Sequence, residues 1–323
     1  MSELQLTGLD GKNPLAFLAA LGVLNVLADH AKEGQPPPRL AWSTEGRFVP
    51  AIVDGPDRTA LLEVLRVDLE SFRSEPAIEG LRYPKEGGSE AHDLKPPPRW
   101  FVDYLKKLST SGGEGSPAMR RSLSFAAAFA TDVATDNNGN TKPTALHFTA
   151  GQQEFLTMVT ELVRGVRPED FEEALFGPWR YQRPLPVLQW DNTASRDYAL
   201  RASDPSKEKK LGVPGADWLA FRGLPFLRVA PVHGPRGNRI ETTGCSGEWK
   251  TGAFRWPLWR RPLTRRVIAG LLASPEIVEA DSRVLDARGV AIVLEAGIRR
   301  SDQGGYGSFA PAQVARSRRE SAR

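Results

Sequence analysis

Apolar residues fill almost every position of NPLAFLAALGVLNVLA (13–28), directly behind an Asn-Pro pair. Asn13 is placed to cap and Pro14 to occupy the first helical position, so the stretch predicts a helix buried on most of its faces through Phe17, Leu18, Leu21, Val23, Leu24 and Leu27. Gly22, near its middle, leaves room for another backbone to approach closely. The residues before it, LQLTGLDGK, give a short apolar stretch and a turn rich in Gly and Asp, and the opening therefore reads as strand, turn and helix. Further on the apolar positions spread to helical spacing. RTALLEVLRVDLESF (58–72) carries Leu61, Leu62, Leu65 and Leu69 on one face, and AGQQEFLTMVTELVRGV (150–166) carries Phe155, Met158, Val159 and Leu162. RWFVDYLKKL (99–108) and RRSLSFAAAFATDVA (120–134) also read as helices. GQPPPR (34–39) and SGGEGS (111–116) break the chain, residues 73–98 are polar and rich in Gly and Pro and predict a long loop, and DNNGNTKP (136–143) predicts a turn.

After Pro168 the pattern changes. Prolines become frequent and the apolar runs shorten to LPVLQW, LAFRGLPFLRVAPV and RVLDARGVAIVLEAGIRR, which predict strands and loops. LTRRVIAGLLAS (263–274) is an exception, with Val267, Ile268, Leu271 and Leu272 at helical spacing behind a threonine. The chain therefore reads as α+β, a helix-rich N-terminal half joined to a strand-and-loop-rich C-terminal half, without a doubly wound parallel sheet. Residues 1–167 form the helical region, 168–313 a basic region rich in Trp and Pro, and VARSRRESAR at 314–323 a basic tail.

Charge changes this picture more than composition does. The 323 residues carry a net charge of only +4, but residues 180–266 hold 17 Lys/Arg against 7 Asp/Glu, a local +10 that leaves −6 for the remainder. Five tryptophans, Trp190, Trp218, Trp249, Trp256 and Trp259, lie in the same window. A basic segment interleaved with aromatics suits a nucleic-acid surface, although buried tryptophans under a solvated arginine rim would give the same composition. The densest part is FRWPLWRRPLTRR (254–266), where Arg255, Arg260, Arg261, Arg265 and Arg266 are candidates to meet phosphates, with Trp256 and Trp259 either packing beneath them or stacking on a base. WDNTASRDYALRASDPSKEKK (190–210) adds a cationic arm with Arg196, Arg201, Lys207, Lys209 and Lys210. Such contacts follow phosphates and do not read sequence.

Catalytic signatures are sparse. No glycine-rich stretch ends in GKS or GKT, GGYGSF (304–309) does not fit a dinucleotide fingerprint, and no GxSxG elbow places a serine nucleophile. Cys245 is the single cysteine and reads as an incidental thiol. His30, His92, His147 and His233 show no metal-ligand spacing, and neither a metal nor another cofactor is expected. Asp191, Asp197, Asp204 and Asp217 keep a metal-dependent nuclease open, against the readings of Asp191-Asn192 and Asp204-Pro205 as turn initiators and Asp197 as the charge partner of Arg196. The apolar stretch at 13–28 is short for a bilayer span and lacks a cationic leader or a small-residue cleavage site, so a cytoplasmic protein without a membrane partner is expected.

Taken in order, GLDGKNPLAFLAALGVLNVL, LHFTAGQQEFL, WDNTASRDYALRASDPS, LAFRGLPFLRVAP, FRWPLWRRPLT and GYGSF resemble a protein family of type I-G (formerly I-U) CRISPR loci, large-subunit-like or accessory to the effector. The resemblance implies a non-catalytic subunit of an RNA-guided interference complex, with the other effector subunits, guide RNA and target DNA as partners. In such assemblies base pairing reads the sequence while protein groups hold strands by charge. An accessory protein of the same locus that touches only protein partners remains the alternative, beside the nuclease.

Overall fold

The computed structural model describes residues 2–43, 46–85, 87–149, 152–194, 211–234, 237–249, 251–300 and 307–315. The chain opens with strand β1 (Glu3–Gln5) and helix α1 (Pro14–Asp29), followed by strands β2 (Arg39–Trp42) and β3 (Pro50–Val53). Helices α2 (Arg58–Ser71) and α3 (Pro76–Glu79) lead to a hairpin of β4 (Tyr83–Pro84) and β5 (Glu90–Ala91). Helices α4 (Pro98–Thr110) and α5 (Pro117–Phe129) precede a second hairpin, β6 (Ala130–Thr135) and β7 (Thr141–Pro143), and then α6 (Phe155–Gly165) and α7 (Pro168–Phe176). Beyond them come α8 (Pro214–Gly223), the paired strands β8 (Val229–Gly234) and β9 (Gly237–Thr242), β10 (Cys245–Ser246) and β11 (Ala253–Trp259). The last described elements are β12 (Leu263–Thr264), α9 (Arg265–Leu272), α10 (Pro275–Glu279), α11 (Ser282–Ala287), β13 (Val290–Arg300), β14 (Gly307–Phe309) and β15 (Gln313–Val314). The fold is mixed α+β, with helices dominating the first half and strands more frequent in the second.

Helix α1 begins where Asn13 predicts it, the Asn13 side-chain oxygen accepting from the Leu15 amide at 2.9 Å. Its residues from Pro14 to Leu27 are all buried. The element crossing it is α8, and the two backbones touch: a Cβ built on Gly22 would lie 1.8 Å from the Leu219 carbonyl oxygen, and one on Gly223 would lie 2.3 Å from the Leu18 carbonyl oxygen. The space left at Gly22 is thus filled by α8, which LAFRGLPFLRVAP had suggested was strand. Because every residue of α8 is buried, it has no polar face to give a helical period.

At the C-terminal end of this pair, Arg222 is completely buried and donates to Asp68 at 2.8 and 3.0 Å and to Asp29 at 3.0 Å, with its guanidinium 4.3 Å from the Phe72 ring centre. Burial alone would raise the Asp68 carboxyl, but the Arg222 charge and hydrogen bonds from His30 and Arg222 hold it below its ordinary value.

Two antiparallel sheets complete the core. The first has the order β1-β3-β2-β12, and the second runs β10-β11-β13, with β14 and β15 both on β13. Strand β12 pairs Leu263 with Leu40 and Thr264 with Arg39, so a segment near residue 263 completes a sheet begun near residue 3. One continuous set of buried side chains runs from Leu6 to Phe309, and the 167/168 boundary does not divide it.

Three local expectations change. The helix expected over 120–134 stops at Phe129, because Ala130–Thr135 pairs with β7. The loop expected over 73–98 contains α3 and the β4–β5 hairpin, and VLDA lies in α11, not in a strand.

Candidate nucleic-acid interface

Strand β11 places the aromatic residues of FRWPLWRRPLTRR inside. Trp256 and Trp259 are at most 1% exposed; the Trp256 indole donates to the Gly11 carbonyl at 2.8 Å and the Trp259 indole to the Leu40 carbonyl at 2.8 Å. Phe17 of α1 sits among them, with ring centres 6.2 Å from Trp256 and 6.5 Å from Trp259. Neither indole offers a face to a base, which corrects the stacking role considered for them and leaves the packing one. Arg255 is also corrected: it donates to Glu295 at 2.5 Å and to the Val278 carbonyl, and its side chain is only 13% exposed. It holds β11 to β13 and α10, and no phosphate can reach it without breaking that pair.

The other four arginines are exposed. Arg260 and Arg261 form the turn between β11 and β12, while Arg265 and Arg266 open α9. Arg265 is committed to Asp29 at 2.5 Å and Asn25 at 3.2 Å, so it closes the buried Arg222 network toward solvent. Arg261 and Arg266 make no ion pair among the described residues. Arg196, Arg201, Lys207, Lys209 and Lys210 lie outside the described residues.

A second cluster was not singled out from the sequence. An open cleft of about 590 Å³ lies between the loop before α1 and the segment after α7, with Lys12, Arg47, Phe176, Trp179, Tyr181 and Thr193 among its walls. Asp191 organises it. One carboxylate oxygen accepts from Asn13 at 2.9 Å and from the Thr193 amide and hydroxyl at 2.8 and 2.7 Å, and the other accepts from the Tyr181 hydroxyl at 2.8 Å. Burial and the Asp191 charge push the Tyr181 hydroxyl upward, keeping it a donor. Asn192 reaches back to the Lys12 carbonyl at 3.2 Å. The sequence signals for this assembly are the Gly-Leu-Asp-Gly turn and the WDNT run, whose meeting across 178 residues the sequence alone does not announce.

Comparison with protein-family models, with curated proteins and with solved structures gives no match. The chemistry must therefore be read from the side chains. Asp191 forms the turn its Asp-Asn pair suggested, the Thr193 amide closing on its side chain. Asp217 is buried and accepts from the Leu188 amide at 2.8 Å; burial, with the Asp191 charge adding to it, pushes its carboxyl up to about 8. Asp197 and Asp204 lie outside the described residues. Among the described residues no three acidic, histidine or cysteine side chains are grouped to hold a metal. Burial pushes the Cys245 thiol up to about 12, far from a reactive thiolate. No helix among the described residues is long and apolar enough to cross a membrane.

Proposed function

We propose that the chain is a non-catalytic nucleic-acid-binding subunit of an RNA-guided complex of the type I-G kind, contacting target DNA or the guide-bound backbone. The observation that carries the reading is the exposure of Arg260, Arg261 and Arg266, an arginine ridge in the segment that follows strand β11, whose Trp256 and Trp259 are buried and fix that strand in the core. An anchored segment lowers the ordering cost of each phosphate contact, and long cationic side chains on it meet a backbone without reading bases. The segregation of +10 into residues 180–266 and the resemblance of the ordered motifs to a type I-G family support the same reading. A cytoplasmic setting belongs to the same reading.

The test is the salt dependence of binding to duplex DNA and to a guide RNA by the triple variant Arg260→Ala/Arg261→Ala/Arg266→Ala. Arg265 is left in place because it anchors Asp29. Affinity is expected to fall across sequences, and the log–log salt slope on duplex to become shallower by about 2 to 3 units, at roughly 0.9 per phosphate neutralised. An unchanged slope in a folded variant overturns the ridge assignment. Co-purification with effector subunits without nucleic acid would favour the accessory role, and metal-dependent cleavage would favour the nuclease.

A further inference from the structure

We propose that the cleft organised by Asp191 receives one unpaired nucleotide of a bound single strand, its phosphate beside Lys12 and Arg47 and its base against Trp179 and Tyr181. The inference rests on the nucleic-acid reading above but uses none of the ridge arginines.

The volume of about 590 Å³ lies in the range of sites that hold small organic molecules. Its walls differ in chemistry. Lys12 and Arg47 belong to two loops tied together by the Gly11 amide donating to the Phe48 carbonyl at 2.8 Å, so their charges stand on one rim. Asp10, 3.7 Å from Arg47, offsets one of the two cations and leaves that rim positive. The opposing segment carries Trp179 and Tyr181, with ring centres 6.1 Å apart and planes at 74°, an arrangement that offers a flat ring one face and one edge. Asn192 and Thr193 supply amide and hydroxyl groups along the same cleft.

The aromatic wall is held in advance. Tyr181 has φ 54°, a left-handed conformation that is costly for a residue with a large side chain, and its hydroxyl is fixed on Asp191 at 2.8 Å. The Trp179 indole is fixed by donating to the Ala174 carbonyl at 2.9 Å. Backbone conformation and hydrogen bonds thus hold the two rings, each half-buried against the core, in the wall of the cleft. A base in a duplex has both faces covered by its neighbours, so the ring that enters such a cleft is an unpaired one. A strand is favoured over a free nucleotide by position. Trp256, bonded to the Gly11 carbonyl at the cleft's own loop, is four residues from Arg260, a span of at most roughly 14 Å of extended chain. That span is within the reach of a few nucleotides of an extended strand, so cleft and arginines are close enough for one strand to serve both.

The experiment uses the full chain, a fluorescein-labelled fifteen-nucleotide oligothymidine, the matching duplex, and an oligonucleotide carrying one 4-thiothymidine for photo-crosslinking. Adducts located by mass spectrometry are expected on Trp179 or Tyr181. Lys12→Ala/Arg47→Ala is expected to weaken oligothymidine binding about fivefold or more, with about 0.7 units lost from the salt slope, the share of the one single-strand phosphate the two side chains hold. Its duplex affinity is expected to stay within about twofold, and its melting temperature, measured alongside, to match the wild type. Adducts confined to residues 254–266, with unchanged oligothymidine affinity in the double variant, overturn the cleft assignment and leave the ridge reading standing. Full displacement of oligothymidine by millimolar AMP also overturns it, in favour of a free nucleotide. Failure of the wild type to bind either nucleic acid removes both readings.

Discussion

Asp217 is a carboxyl with almost no water around it, and it accepts a hydrogen bond from the backbone amide of Leu188. Its folded value of about 8 lies above the unfolded 3.8, so the folded state holds the proton more tightly. The stability this group provides is complete below about pH 4 and is lost as pH rises toward 8, at up to about 1.4 kcal/mol per pH unit. Asp217→Asn keeps an acceptor for the Leu188 amide and removes the titration. Its melting temperature is expected to exceed that of the wild type at pH 8 and to approach it at pH 5. A wild-type melting temperature that stays parallel to the variant's over this range would show that Asp217 does not titrate there. At this scale the sequence was only partly legible. Asp191 was read as a turn former and is one, but Trp256 and Trp259 present the same letters whether an indole is packed or exposed. Arg255 and Arg265 likewise gave no sign that Glu295 and Asp29, far away in the chain, would claim their charges.

The elements that were legible are those with a period. Helices α2, α6 and α9 bury one stripe each, as the spacing of their apolar residues predicts. Helix α8 leaves no period in the sequence because it is enclosed on all sides, and FAAAFATDVA keeps an alanine-rich helical texture through the residues that form β6. Helix α1 was recoverable despite lacking a stripe, since its cap and proline supplied what the period did not. Its crossing with α8 gives a sharp expectation. In Gly22→Ala the added methyl would sit 1.8 Å from the Leu219 carbonyl oxygen, a backbone atom that cannot turn aside, so the two helices must separate. Repacking of this kind costs about 1–3 kcal/mol or more, and a melting temperature lowered by several degrees is expected. Leu21→Asp, which places an unpaired charge where Leu21 is fully buried, is expected to cost several kcal/mol and to abolish soluble expression. A Gly22→Ala protein that melts with the wild type would mean that α1 and α8 are not in backbone contact.

For the whole molecule the question is whether the change of texture near Pro168 marks two folding units. Composition suggests a boundary, because prolines and cations gather after it. Packing argues otherwise: α1 is covered on one side by α8 and on another by Trp256 and Trp259 of β11, and the first sheet takes its last strand from Leu263–Thr264. A fragment of residues 1–167 would leave Phe17, Leu18 and Leu21 facing water where those elements now lie, and would expose Leu40 on an unpaired sheet edge. The complementary fragment would lose Asp68 and Asp29 and strand Arg222, whose burial is tolerable only with both carboxylates present. Expressed separately, each fragment is therefore expected to be insoluble or to lack a cooperative thermal transition, while co-expression of the two is expected to recover a folded complex. The same dependence fixes what the candidate interface can be. The arginine ridge and the Asp191 cleft are held by contacts between the two halves, Trp256 on Gly11, Asn13 on Asp191 and Arg265 on Asp29, so neither site exists in one half alone. A soluble 1–167 fragment with a sharp melting transition would contradict this account of a single core.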